Sequence, residues 1–202
     1  MTRIMGDSTS LTAIPLTVNI AAAYYNGHVG VATAAQMQAR FPHDKYGWCL
    51  FDVTGANADK ADALDVENGD ATPATANLWV QSWHKLGRPG LAPLYVNRGN
   101  EQAVISACES GGSKLGAQFG LIVSTLDGTI VPPGTGILAC QVKGAKLTGG
   151  DWDMSLVYDA SLWLPVAPPP KPMVVSDAQA KAAAASVVSG GAVLALYVDE
   201  RS

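Results

Sequence analysis

Along the chain, short apolar runs alternate at first with segments in which apolar residues recur at helical spacing. Eight runs read as strands, near Arg3–Gly6, Leu16–Ala22, Gly47–Val53, Ala63–Val66, Ala92–Val96, Phe119–Ser124, Ile137–Val142 and Trp152–Val157. Three helices are expected between the early strands. Thr33 caps one that carries Met37 and Phe41 and must end before Pro42. Thr72-Pro73 is a cap followed by proline at the first helical position, and Leu78, Val80, Trp83 and Leu86 then recur up to Gly87. Asn100-Glu101 opens the third, with Ala103, Val104 and Ala107 apolar and Gly111-Gly112 as its stop. After Gly116 the loops are rich in Gly and Pro and too broken for good helices. The alternation predicts an α/β fold built on a mostly parallel sheet or barrel. A regular eight-fold β/α barrel needs about 250 residues. Only residues 1–165 are available here, so the barrel must be abbreviated and irregular, with its helices mainly in the first half.

The boundary at 165 comes from Val166–Pro172, where four of seven residues are proline and the backbone is biased to an extended linker. Beyond it, residues 173–202 form an Ala-rich tail in which Ser176 or Asp177 can cap a helix. Its 17 uncharged residues, Ala182 to Val198, reach the lower limit for a membrane span but are weakly hydrophobic, so a span is not expected. Small residues four apart, Ser186/Gly190 and Gly191/Ala195, suit close helix packing and make the tail a docking or oligomerisation element. With 48% apolar and 15% charged residues, the composition excludes disorder throughout. A net charge of −4, with the basic residues scattered singly, leaves no footprint for a phosphate backbone, so no nucleic-acid partner is expected. Cys49, Cys108 and Cys140 cannot close a disulfide framework and read as small buried apolar residues. Met1 to Pro15 lacks the apolar core of a secretory signal, so the protein is expected to begin in a cytoplasm.

Leu64-Asp65-Val66-Glu67-Asn68-Gly69-Asp70 carries the most chemical information. Side chains alternate along a strand, so Asp65 and Glu67 share a face, with Cα atoms about 6.6 Å apart. That places an acid pair at the carboxyl end of a parallel strand, where barrels keep their active sites, and two like charges there raise one another's pKa. A solvated turn at a strand end has the same composition. Asp151-Trp152-Asp153 repeats the spacing at the start of the last strand, and Asp7 closes the first. These acids converge only if the sheet closes, because the first and last strands of a barrel are neighbours.

An acid ending strand one, a Leu64-Asp65-Val66-Glu67 strand, a Pro93-Leu94-Tyr95 strand and a Gln141 … Gly150-Asp151-Trp152-Asp153 ending together resemble the glycoside hydrolase family 25 lysozymes and their glycoside-hydrolase-like relatives in phages of actinobacteria. The resemblance runs from about Thr2 to Trp163. It implies an irregular TIM-like barrel that acts on the β-1,4 bond between N-acetylmuramic acid and N-acetylglucosamine. By motif, Glu67 matches the general acid, and Asp65 its partner, which stabilises positive charge or orients the acetamido group. Asp7 and Asp153 match the flanking acids. Tyr95 and Trp152 offer a sugar-stacking face, with Asp151, Gln141 and Asn97 as further substrate contacts. The implied partners are bacterial cell-wall glycan and, through residues 173–202, other virion proteins or a second copy. The implied location is a phage virion, or release from the host cytoplasm to the wall.

Two elements of that family are not reproduced. Its Glu-Gly and Tyr-His-Phe strands are replaced by Ala21-Ala22-Ala23-Tyr24 and Cys49-Leu50-Phe51-Asp52, and its closing Asp-x-Asp-Leu-Asn reads Asp151-Trp152-Asp153-Met154-Ser155. Two readings stand: a lysozyme with a remodelled cleft, or an inactive barrel that serves as a virion structural or adsorption protein. Pro132-Pro133-Gly134-Thr135-Gly136 begins like a phosphate loop, but Ile137-Leu138 stand where Lys and Ser/Thr belong. Asp65 to Asp70 lacks the alternation of a calcium loop, and His28, His43 and His84 are isolated. Neither metal nor cofactor is expected.

Overall fold

The computed structural model of the protein describes residues 3–27, 31–125, 127–144, 148–161 and 163. The chain divides into two units, Met1–Pro165 and Val166–Ser202. Every described residue belongs to the first unit. The linker expected at 166–172, the tail expected at 173–202 and His28 lie outside the described residues.

Eight strands close into a barrel in chain order: β1 (Arg3–Asp7), β2 (Ile20–Tyr24), β3 (Gly47–Asp52), β4 (Ala63–Val66), β5 (Ala92–Asn97), β6 (Phe119–Ser124), β7 (Ile137–Lys143) and β8 (Asp153–Val157). Neighbours from β1 to β7 pair in parallel, whereas β8 runs antiparallel to both β7 and β1. The architecture is a closed mixed barrel with three described helices, α1 (Ala34–Arg40), α2 (Pro73–Lys85) and α3 (Glu101–Ser110), all preceding β6. Most strands fall within a residue or two of their expected positions. β2 is the exception, beginning at Ile20 rather than Leu16. Pro15 accepts from the Val18 N–H in a turn, and the Asn19 side chain is spent on the Ile4 N–H, so pairing with β1 starts only at Met5 and Ile20.

Local chemistry explains the helices. At α1 the Thr33 hydroxyl accepts from the Gln36 N–H while the Gln36 side chain accepts from the Thr33 N–H, a reciprocal capping box. Thr72 caps α2 and Pro73 opens it. The buried stripe of α2 is Ala76, Trp79, Val80 and Trp83, at i, i+3, i+4 and i+7. Leu78 and Leu86, expected on that stripe, are exposed instead. α3 buries Val104 and Cys108. The outer face of β7 is covered by a loop, where the Val131 N–H donates to Cys140 Sγ and the Tyr158 hydroxyl donates to the Val131 carbonyl. Gly136, with φ +76°, lies so close to Gly116 that a Cβ would sit 2.7 Å from the Gly116 nitrogen. Gly136 therefore serves chain packing.

The strand wall separates two cores. Outside it, alternate strand residues pack against Met37, Trp79, Val80, Trp83, Val104 and Cys108 of the helices. Inside, Met5, Ile20, Cys49, Ala63, Tyr95, Ile122, Ala139 and Val157 supply one side chain from every strand and none from a helix. This second cluster fills the lumen, as the pleat requires. Trp163 belongs to it and closes the lower end, its carbonyl accepting from the Trp48 N–H. Cys49, Cys108 and Cys140 are all free and buried. Among the described residues no helix is long and apolar enough to cross a membrane.

Candidate active site

The lumen changes character from one end to the other. Two residues beyond Met5, Ala63, Ile122 and Ala139, the same inward rows continue with Asp7, Asp65, Ser124 and Gln141. On the reversed β8, Ser155 and Asp153 precede Val157 along that row. The polar end is the end where β1 to β7 terminate. Because β8 is antiparallel, its first residue pairs directly with the last of β1, Asp153 opposite Asp7. Opposed positions of this kind hold Cβ atoms about 5 Å apart.

Burial and mutual repulsion make the acids unusual. Asp7 is 4% exposed and Asp65 2%, and each keeps one buried oxygen without a hydrogen-bond partner among the described residues. Burial, then Asp153 and Glu67, push Asp7 up to about 8. Burial, then Glu67, Asp70 and Asp7, push Asp65 up to about 9. Both are therefore protonated near neutral pH. Glu67, just beyond β4 and only half-buried, is also raised, by burial and then by Asp70 and Asp153. A Tyr95 hydroxyl donating to Glu67 works the other way. In the structure, however, the hydrogen of that hydroxyl goes to Gln141 Oε1. Gln141 in turn donates from Nε2 to Asp153 Oδ2 at 2.8 Å.

Two adjoining cavities open over this end. One, of about 430 Å³, lies between Asp7, Ser8, Tyr24, Trp152 and Asp153, and the other, of about 330 Å³, between Thr9, Tyr24, Val53, Asn68 and Asp70. Thr9 and Tyr24 line both, so the two form a continuous groove of a size that takes small organic ligands. Trp152 and Asp151 stand at its wall, and the Ser8 hydroxyl donates to the Asp151 carbonyl. Tyr95 does not offer the expected stacking face. It is 5% exposed, with its ring edge-on to Phe51 inside the lumen. Its contribution is its hydroxyl. The side-chain oxygen of Asn97 accepts from the Asn100 N–H and shapes the turn into α3.

Tyr24 escaped the sequence reading, although it ends β2 on the same inward row as Ala22, two residues beyond the position paired with Asp7 of β1. Asp52 is an acid of another kind. It is fully buried, but the N–H groups of Thr54 and Asn57 and the side chains of Asn26 and Thr54 surround it. Burial alone would raise it, yet these bonds outweigh burial and hold it below the usual carboxylate range. It ties down the β3–β4 loop. His43 stacks on Trp48 and His84 bonds the Gln118 carbonyl, both structural roles. Among the described residues no three His, Cys, Asp or Glu side chains are placed to share a metal ion. No family model, curated protein or solved structure matches the chain.

Proposed function

We propose that the barrel is an abbreviated TIM-like glycoside-hydrolase domain that acts on bacterial cell-wall glycan, in the manner its motifs imply for family 25 lysozymes. One observation carries the reading: Asp7, Asp65, Glu67 and Asp153 come together at the mouth of the lumen beside a groove walled by Trp152 and Tyr24. Glu67 is the general acid, because it is half-buried, raised in pKa and set against other carboxyls, the environment that keeps a proton on a carboxylic acid. Asp65, kept protonated near neutral pH by burial and by its acidic neighbours, is unsuited to offsetting positive charge. It orients the sugar's acetamido group instead, a task for a carboxyl with both a donor and an acceptor. The acetamido oxygen then meets the anomeric carbon as Glu67 protonates the leaving oxygen, the substrate-assisted course open to N-acetylated sugars.

The protein belongs, on this reading, to a phage particle or to the lysis machinery that reaches the wall from the host cytoplasm. The test is release of reducing ends from purified actinobacterial peptidoglycan by the full chain, wild type against Glu67→Gln. Loss of a general acid lowers turnover by about 10²–10⁴-fold. Wild-type activity that survives Glu67→Gln refutes the assignment. Glycan binding without turnover in either protein would instead identify the inactive virion barrel.

A further inference from the structure

The groove over the acids has a waist. Of its lining residues, Tyr24 and Thr9 alone border both cavities, so the division between the two lobes runs across these side chains. Both sides of the waist are held in place. The Tyr24 ring tilts against Phe51 of the lumen, with ring centroids 5.6 Å apart, and its backbone carbonyl accepts from the Ala32 N–H. Thr9 lies in a turn where the Ser10 N–H donates to the Ser8 hydroxyl, and that hydroxyl is anchored on the Asp151 carbonyl. Tyr24 is therefore a fixed ridge, set on a strand end and backed by a packed ring.

The lobes differ. The larger, of about 430 Å³, is lined by Asp7, Trp152 and Asp153. The smaller, of about 330 Å³, is lined by Val53, Asn68 and Asp70 and by the backbone of Gly27 and Gly69. Each volume lies near the lower end of the range of about 300–1,000 Å³ for small-ligand sites, so each lobe takes one ring-sized unit and the groove takes a linear pair. Glu67 immediately precedes Asn68 of the smaller lobe.

Acid chemistry alone leaves the register of a wall glycan open. Two sugars alternate along it through the same β-1,4 linkage, and both carry the acetamido group on which the proposed course relies. A general acid with acetamido assistance would serve every linkage equally. The sugars differ in one place: N-acetylmuramic acid bears a 3-O-lactyl ether, which makes every second ring larger. Discrimination between the linkages has to come from shape. We propose that Tyr24 is the specificity-determining residue of the groove: its ring divides the lobes so that N-acetylmuramic acid sits in the larger and N-acetylglucosamine in the smaller, with the linkage between them across the waist. Once the ridge is removed the two lobes merge, and the chain can slide by one sugar.

The inference rests on the glycan reading, and binding and turnover test the two separately. Binding is measured by titration calorimetry on the full chain carrying Glu67→Gln, which leaves the ligand uncut. The probes are two disaccharides of opposite order, one with N-acetylglucosamine at its reducing end and one with N-acetylmuramic acid there. The first is expected to bind more tightly by roughly tenfold, the scale on which a shaped pocket senses a few extra atoms. Adding Tyr24→Ala brings the two affinities together, whereas Tyr24→Phe keeps the ring and keeps the preference. Equal binding with Tyr24 in place, a preference that survives Tyr24→Ala, or one lost equally in Tyr24→Phe each overturns the proposal. Should Tyr24→Ala fail to fold, Tyr24→Leu retains apolar packing on Phe51 without the breadth of the ring and must also erase the preference.

Turnover of peptidoglycan is followed with Glu67 intact, and the new reducing ends are sorted by sugar. Wild type is expected to leave N-acetylmuramic acid ends, and Tyr24→Ala ends of both kinds. An order preference without turnover sinks the glycanase reading and leaves the role of Tyr24 standing. Turnover whose ends do not change with Tyr24→Ala sinks the role of Tyr24 alone. Neither binding nor turnover in any of these proteins sinks both.

Discussion

Replacing Asp7 by Asn should stabilise the protein, and increasingly so as pH rises. In the unfolded chain an aspartate ionises near 3.8, whereas the folded barrel holds Asp7 at about 8. Between those values the folded state binds a proton that the unfolded state has released. Stability contributed by this group is thus fully present below pH 3.8 and is lost as pH rises through 8. At 1.36 kcal/mol per pH unit, the gap from 3.8 to about 8 sets a ceiling of about 6 kcal/mol. Part of it comes from Asp153 and Glu67, which adjust when Asp7 becomes neutral, so a gain of at least about 2 kcal/mol at pH 8 is expected. The assay is urea unfolding of the full chain at pH 4, 6 and 8, wild type against Asp7→Asn. The cost of fitting an amide in place of a carboxylic acid is common to all three and cancels in the slope. Parallel pH dependences in the two proteins, or a variant that loses ground as pH rises, would refute the reasoning. Glycan turnover is expected to fall in the same variant, the exchange of stability for function common at strained sites.

Asp52→Asn is expected to behave in the opposite sense. Its carboxylate is held low, so the variant loses about 2 kcal/mol at pH 7, and the difference from wild type fades below pH 4 in the same unfolding series. A methyl group at Gly47 would run into the Trp163 carbonyl and the Ile20 side chain, so Gly47→Ala should cost about 1–3 kcal/mol in a thermal melt. Trp152→Ala should weaken glycan binding by roughly tenfold in titration calorimetry while leaving the Glu67 titration in place. A Glu67 midpoint that moves with Trp152 would show that the indole shields the acid rather than the sugar.

Strands that are short, nearly continuous apolar runs, buried on both faces, were legible. Ala63–Val66 and Phe119–Ser124 fall where their runs fall. The caps at Thr33 and Thr72 were legible too, since each is a local bond between neighbours. The buried stripe of α2 was misread because apolar residues sit on both of its faces, and periodicity cannot choose between Leu78 and Trp79. For the candidate site, the acids at positions 7, 65, 67 and 153 were visible as strand-end residues. Tyr24 was hidden in a run of alanines that carries no alternation. The bond from Tyr95 to Gln141 joins residues 46 positions apart and exists only once the barrel closes. No local pattern encodes it.

The reversal of β8 reaches beyond the site. With it, Arg3 at the start of β1 lies directly across from Val157 at the end of β8, so the barrel is entered and left on the same side, one strand spacing apart. Both crossings lie at the end opposite the acids. A domain whose ends meet can be spliced into a surface loop of another protein, or rejoined and reopened elsewhere, without stretching its host. The barrel is in this sense a cassette: its first and last strands cross at one end and its acids open at the other.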